Sequence, residues 1–176
     1  MDEVSMKKFL IYTVLASVCI NSAVLAQTSD DKYITNFAIQ SVLSTFTYDS
    51  LSYEKQIADL QKTFTTEGWK NFSSALNQSG NIEIVKENNM VVSAYKNGDA
   101  TIESYTQNKA SENWVVKVPS MVTYSNEYVA IDQPMTSYIS IDKSDDALRI
   151  ANINSEVTAP SSTKTNLPQK RANCHN

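Results

Sequence analysis

Residues Tyr48 to Gly80 read YDSLSYEKQIADLQKTFTTEGWKNFSSALNQSG. Two short apolar patterns at helical spacing lie in this stretch, divided by Phe64-Thr65-Thr66-Glu67-Gly68-Trp69. Tyr53, Ile57, Leu60 and Phe64 follow one another at i, i+4, i+7 and i+11, on one face of a helix. Trp69, Phe72 and Leu76 repeat the pattern at i, i+3 and i+7. Thr65 or Thr66 has a hydroxyl able to accept the free amides of a second helix, and Glu67 would then lie in its electropositive first turn. Gly80 supplies a stop, because glycine enters the left-handed conformation without a side-chain clash. Two helices joined so closely must pack at a steep angle, with Trp69 and Phe72 as the bulky filling. The spacing predicts a helical corner built for packing rather than for chemistry.

Working outward, Ser29-Asp30-Asp31 has the form of a helix start, a capping side chain followed by acids. Ile34, Phe37, Ala38, Ser41 and Val42 then fall at helical spacing, which predicts a first helix over Asp31–Phe46. Thr47 to Ser50 reads as a turn, with Asp49 or Ser50 capping a helix that begins near Leu51. Asn81 to Asn89 fits either a short helical turn or a strand. Beyond it the period changes from 3.6 to 2. Trp114, Val116, Val118, Ser120, Val122 and Tyr124 alternate with Val115, Lys117, Pro119, Met121 and Thr123 on an extended strand. Further strands are predicted over Ala100–Gln107, Tyr128–Ile141 and Leu148–Val157. Lys96-Asn97-Gly98-Asp99 makes a turn before the first of them, and Ser125-Asn126-Glu127 a hairpin turn. Pro119 has no amide hydrogen and is expected at a bulge or an unpaired edge, and Pro134 is expected to bend its strand. Helices first and antiparallel strands second make an α+β layer pair, with helices covering one sheet face.

Several stretches together resemble one known family. They are Tyr48-Asp49, Tyr53, Phe64-Thr65, Glu67-Gly68-Trp69, Phe72, Ala75-Leu76 and Ser79-Gly80-Asn81. Downstream, Val91-Val92-Ser93-Ala94, Trp114-Val115-Val116-Lys117-Val118-Pro119 and Val122-Thr123-Tyr124 follow in the same order. The set resembles the signature of the DotI/IcmL family, inner-membrane and periplasmic proteins of type IVB secretion systems, over roughly residues 36–153. The resemblance implies a nuclear-transport-factor-2-like domain, N-terminal helices packed on a curved antiparallel sheet. It implies a non-catalytic scaffold, with other secretion-system subunits or further copies of itself as partners and no cofactor. Its marked residues (Tyr48, Asp49, Tyr53, Phe64, Thr65, Gly68, Trp69, Phe72, Leu76, Gly80, Trp114, Pro119 and Tyr124) specify shape rather than reactivity.

Composition narrows the alternatives. A chain of 176 residues fits one domain with a moderate core. With three glycines in all, no Gly-rich phosphate loop can be found. A formal net charge of −4 without a basic run is unsuited to nucleic acid, where phosphate neutralisation dominates affinity. The only histidine, His175, stands beside Cys174 in a polar C-terminal stretch, and two ligands do not make a metal site. Asp30-Asp31 and Asp145-Asp146 read as a helix start and a turn, without the apolar surroundings that tune a general acid. No serine sits in a G-x-S-x-G turn. Tyr105, Tyr124, Tyr128 and Tyr138 could line an exposed aromatic strip or serve ordinary cross-strand packing. The runner-up to a scaffold is a secreted binding module that holds an apolar ligand or a peptide in the cup between sheet and helices.

Lys7-Lys8, an apolar run from Phe9 and Val24-Leu25-Ala26 before Gln27 match a secretory signal peptide over residues 1–26, with a short membrane anchor as the competing reading. Cys19 lies inside that run in a poor lipobox, so lipidation is not expected. The α+β domain is expected over residues 27–158 and a disordered polar tail over residues 159–176. The expected location is the periplasm, or the periplasmic face of the inner membrane if the anchor stays. Export predicts that N-terminal sequencing of periplasmic material begins at or near Gln27. Recovery of full-length chain from membranes alone would establish the anchor instead.

Overall fold

The structure, a computed structural model, describes residues 30–109, 111–144 and 147–158. Residues 30–45 form α1, whose buried stripe of Ile34, Ala38, Ser41, Val42 and Thr45 follows the predicted helical period. The Thr45 hydroxyl, inside this stripe, donates to Ser41 O at 2.8 Å. The segment expected as a plain turn then contains β1, Tyr48–Asp49. Two residues are too few to show an alternating pattern, and only the pairing with a distant strand makes them one.

Asp49 carries the chain from β1 into the next helix. Its carboxylate accepts from Leu51 N at 2.8 Å, Ser52 N at 2.7 Å and Ser52 Oγ at 2.6 Å. These bonds hold Leu51 and Ser52 in a turn, so α2 runs Tyr53–Gln61 and starts two residues later than the spacing suggested. The Ser52 hydroxyl, spent on Asp49, does not cap α2.

The corner forms as the pattern predicted, around a specific anchor. Between α2 and α3 (Thr66–Ser79) the chain is extended at Thr65, with φ −69° and ψ 160°. Thr65 Oγ1 accepts from Gly68 N at 3.0 Å and caps α3. Thr65 N donates to Ile150 O and Ile150 N to Thr63 O, both at 2.9 Å, so the corner is laced to the sheet on either side of Phe64. The Phe64 ring stacks on Phe72 at 5.1 Å and meets Trp69 edge-on at 5.6 Å. Phe64 is buried, whereas Trp69 and Phe72, expected as the filling, are half-buried at the rim of the core. Gly80, with φ 67°, stops α3 and turns the chain into α4, Asn81–Glu87. The ambiguous stretch after Gly80 is therefore a helix, anchored by Ile82 and Val85.

The rest is one six-stranded antiparallel sheet ordered β1-β2-β4-β5-β6, with β3 beside β4. Its strands are β2 (Val91–Lys96), β3 (Thr101–Gln107), β4 (Glu112–Ser125), β5 (Ala130–Ser144) and β6 (Ala147–Val157). β2 was not anticipated as a strand; it is short and mostly exposed, so alternation alone does not reveal it. β4 pairs with β5 along its length. On its other side its N-terminal half holds β3 and its C-terminal half holds β2.

The two prolines are accommodated differently from expectation. Pro119 sits in a central strand, paired with Thr136, and at no edge. Its carbonyl accepts from Asn97 N at 3.1 Å, in the link between β2 and β3. A strand residue directs its N–H and C=O to the same side, so the missing amide falls where β4 changes partners. Pro134 does not break its strand, for the ladder to β4 passes through it without a register shift. Its carbonyl accepts from Thr158 N at 3.0 Å, just past the last residue of β6, so its missing amide lies where that neighbour ends. The irregularity lies in the β5–β6 ladder instead, between the pairs Ser140–Asn152 and Ile141–Ile150, where Ala151 of β6 is left without a partner in register.

All helices lie on the concave side. Ile34, Ala38, Val42, Leu60 and Phe64 pack on Trp114, Val116, Val118, Ile139, Ile141 and Ile150. At the other end of β4, Tyr48, Val85, Val92 and Val122 form a second cluster. This is the α+β arrangement predicted, helices in a curved sheet, and it is compatible with the nuclear-transport-factor-2-like expectation. The signal or anchor segment and the C-terminal tail lie outside the described residues.

Substitutions at two positions test these contacts. A Cβ on Gly68 would stand 2.5 Å from Ile150 O and 2.7 Å from Ala151 O, both backbone atoms that cannot turn away. Gly68→Ala is expected to lower stability by about 1–3 kcal/mol in a denaturant melt, and Gly68→Val by more. Asp49 has its carboxyl pKa lowered from 3.8 by the Ser52 hydroxyl and by the Ser52 and Leu51 amides. A lowered folded value means stability that is present above the unfolded value and lost as pH falls through the folded one. Asp49→Asn should therefore melt below the wild type at pH 7, with the gap closing as pH falls below 3.8. A gap that persisted in acid would assign its effect to something other than the charge.

Candidate interaction surface

The alternation of β4 assigns one set of side chains to each face of the sheet. Trp114, Val116, Val118, Ser120 and Val122 are buried on the concave face, and Val115, Lys117, Pro119, Met121 and Thr123 are half-buried on the convex one. Strand pairing extends the convex set. Tyr95 stands opposite Met121, and Met121 opposite Pro134, a row across β2, β4 and β5. One row along, Pro119 pairs with Thr136, and beyond it Lys117 pairs with Tyr138. Tyr95 is 50 % exposed. Among the described residues the helices bury their apolar sides in the two concave clusters, and none covers this face. The result is an apolar strip of Tyr95, Met121, Pro119, Pro134 and Tyr138 with polar neighbours such as Lys117, Thr123 and Asp132. Thr123 Oγ1 donates to Asp132 Oδ1 at 2.8 Å, which holds that carboxylate on the strip's border.

The tyrosine strip envisaged from sequence does not exist as such. Tyr105 lies on Trp114 with ring centroids 5.3 Å apart, and Tyr124 packs in the second concave cluster. Tyr128 stands in the β4–β5 turn, and Tyr138 is on the opposite face from Tyr105 and Tyr124. Tyr95, the aromatic that does mark the surface, was missed because β2 was not read as a strand. Met135, which follows Pro134, points inward against the second cluster.

The residues marked by the family resemblance fall into separate groups. Phe64, Thr65, Gly68, Trp69, Phe72, Leu76 and Gly80 build the helical corner. Tyr48, Tyr53 and Tyr124 surround the second cluster, with Asp49 at its border, and the Tyr48 and Tyr53 rings meet edge-on at 5.7 Å. Burial, then the neighbouring Tyr124 and Tyr53, push the Tyr48 phenol well above its ordinary range, so it stays neutral. Lys86 Nζ lies 5.1 Å from the Tyr53 ring centre. Trp114 lies at the far end of the sheet, and Pro119 alone of the set is on the convex face. They do not converge on one site.

Reactive groups are sparse. The described residues include no histidine and no cysteine, and among them no group of three or more acids could hold a metal ion. The concave interior is filled, with Val116, Val118 and Ile139 fully buried. Glu112, at the cup's open end, is the most strongly engaged carboxylate there. Its pKa is lowered by the Tyr105 hydroxyl, which donates at 2.9 Å, and by Lys143 at 3.1 Å.

Comparison with known proteins agrees with this architecture. A search of curated proteins finds no match. The periplasmic domain of DotI is similar in structure with a TM-score of 0.69 and 26 % identity, over 72 % of this chain and 95 % of that one. An IcmL-like type IV secretion system protein from Legionella pneumophila superposes at 0.64 with 22 % identity, covering 73 % of this chain and 94 % of that one. A periplasmic fragment of TraM also gives 0.64, with 21 % identity and coverage of 73 % and 97 %. At those lower identities the likeness speaks for the fold. Sequence carries the relationship further, since residues 14–156 match the profile of the type-IVb secretion system inner-membrane complex component. The profile match, with the fold shared with the DotI periplasmic domain, places this chain in the DotI/IcmL family of type IVB secretion system proteins.

Proposed function

We propose that this chain is a non-catalytic scaffold subunit whose domain, over residues 27–158, works on the periplasmic side of the inner membrane and binds other proteins through the convex face of its sheet. The observation that supports this most directly is the row Tyr95–Met121–Pro134, which no helix among the described residues covers, backed by a filled cup interior. A contiguous apolar strip rimmed by polar groups is the usual mark of a protein contact. Burying it stabilises association through apolar area and needs no bond-making chemistry. The likeness to the periplasmic domain of DotI and the export segment read in the sequence support this location. Partners are then further copies of the chain or other subunits of the same complex. The filled interior counts against the rival reading, an apolar ligand or a peptide held in the cup, for its deep part, while the cavity at the mouth stays open.

Photocrosslinking residues placed at Tyr95 and at Met121 should each trap a protein partner in cells that carry the secretion system. The same group at Met135, which faces inward, should trap none. Equal yields from Met121 and Met135, or none from the convex positions in any background, would refute the assignment of this face.

A further inference from the structure

A cavity of about 650 Å³ opens at the mouth of the cup, where the first turn of α1 faces the ends of β3, β4, β5 and β6. Ile34 and Trp114 are buried at its floor, with Ile102 and Leu148 beside them. Tyr33, 64 % exposed, and Tyr105, 43 % exposed, give it aromatic walls. The rim carries three carboxylates, Asp30, Asp31 and Glu112, against one ammonium, Lys143. Lys143 is engaged by Glu112, which also accepts from Tyr105 and from Gln107 Nε2 at 3.4 Å. Asp30 and Asp31 make no ion pair among the described residues.

We infer that this cavity receives a basic side chain, an arginine foremost, presented by an extended segment of another polypeptide. The aromatic walls and apolar floor suit a group that is flat and weakly hydrated, and guanidinium stacks on aromatic faces more readily than a compact ammonium. The surplus of negative charge attracts a cation and repels acidic ligands. The volume accommodates one such side chain with adjoining backbone. The hydrogen bonds from Tyr105, Gln107 and Lys143 to Glu112 fix the rim in advance, so little ordering accompanies entry. This site lies on the concave end and is independent of the convex strip, so it extends the scaffold reading with a chemically defined contact.

The test uses the full chain with Trp69→Phe, which leaves Trp114 as its only tryptophan. Three blocked tripeptides, Ala-Arg-Ala, Ala-Glu-Ala and Ala-norleucine-Ala, are titrated while Trp114 fluorescence is followed. The arginine peptide should give a saturable change that weakens as salt rises, and the glutamate peptide none. Asp30→Asn with Asp31→Asn, and separately Tyr33→Ala, should each weaken the arginine response about tenfold or more. Thermal melts of the variants show that they are folded. Equal responses to the three peptides, no response, or an arginine response untouched in folded variants would overturn the inference. None of these outcomes bears on crosslinking from the convex face.

Discussion

The fold depends on the double backbone link that Thr63 and Thr65 make to Ile150. One strand residue near the sheet's edge gives and receives a hydrogen bond from the corner, and this places Phe64 over the core. The capped start of α3 then approaches the backbone of β6 so closely that only glycine fits at position 68. Everything downstream of that contact is constrained. α3 has one direction to run, Gly80 turns it, and α4 closes the second cluster against Val92 and Val122. A looser joint would leave the helices free to slide over the concave face. The backbone link allows one register.

β4 plays the complementary part on the sheet. It is long enough to hold two partners end to end on one side and β5 on the other. Pro119 marks the change of partner at no cost in hydrogen bonds, since the amide it lacks would have met a gap. Pro134 does the same for β5 where β6 ends. Both prolines thereby reach the convex face without breaking the ladder, and there they meet Met121. The residues that let strands begin and end in this sheet are also those that make its outer surface apolar, so fold and proposed function share them.

The two faces divide the work. The concave side is occupied by the chain's own helices, and its mouth presents a polar, acidic and aromatic rim to solvent. The convex side has no second layer among the described residues. The profile that matches residues 14–156 is that of an inner-membrane complex component, and the scaffold proposed above works through surfaces for neighbours. Several carboxylates hold local structure, Asp49 at a helix start, Asp99 beside Lys96 and Glu112 in a rim ion pair. Asp49 illustrates the point. Its carboxyl pKa is lowered because it accepts the backbone and hydroxyl hydrogen bonds that set a helix start.

Local physics in the sequence determined the elements whose causes lie within a few residues. Helical spacing located the corner, a threonine hydroxyl at 65 or 66 its cap and Gly80 its stop, and strict alternation over residues 114–124 assigned the two faces of β4. The family was legible for the same reason, because its signature is made of these local devices. What only the tertiary structure decided was long-range. β1 and β2 exist because they pair with each other and with β4, and neither is long enough to announce itself by period. Pro119 looked like a bulge or edge signal and Pro134 like a bend, since a sequence does not show which side of a strand lacks a neighbour. The apolar strip joins Tyr95, Met121 and Pro134 from three strands, and the acidic mouth joins Asp30 to Glu112. Both surfaces are products of register, and register is set by the packing of the whole sheet on its helices rather than by any stretch of it.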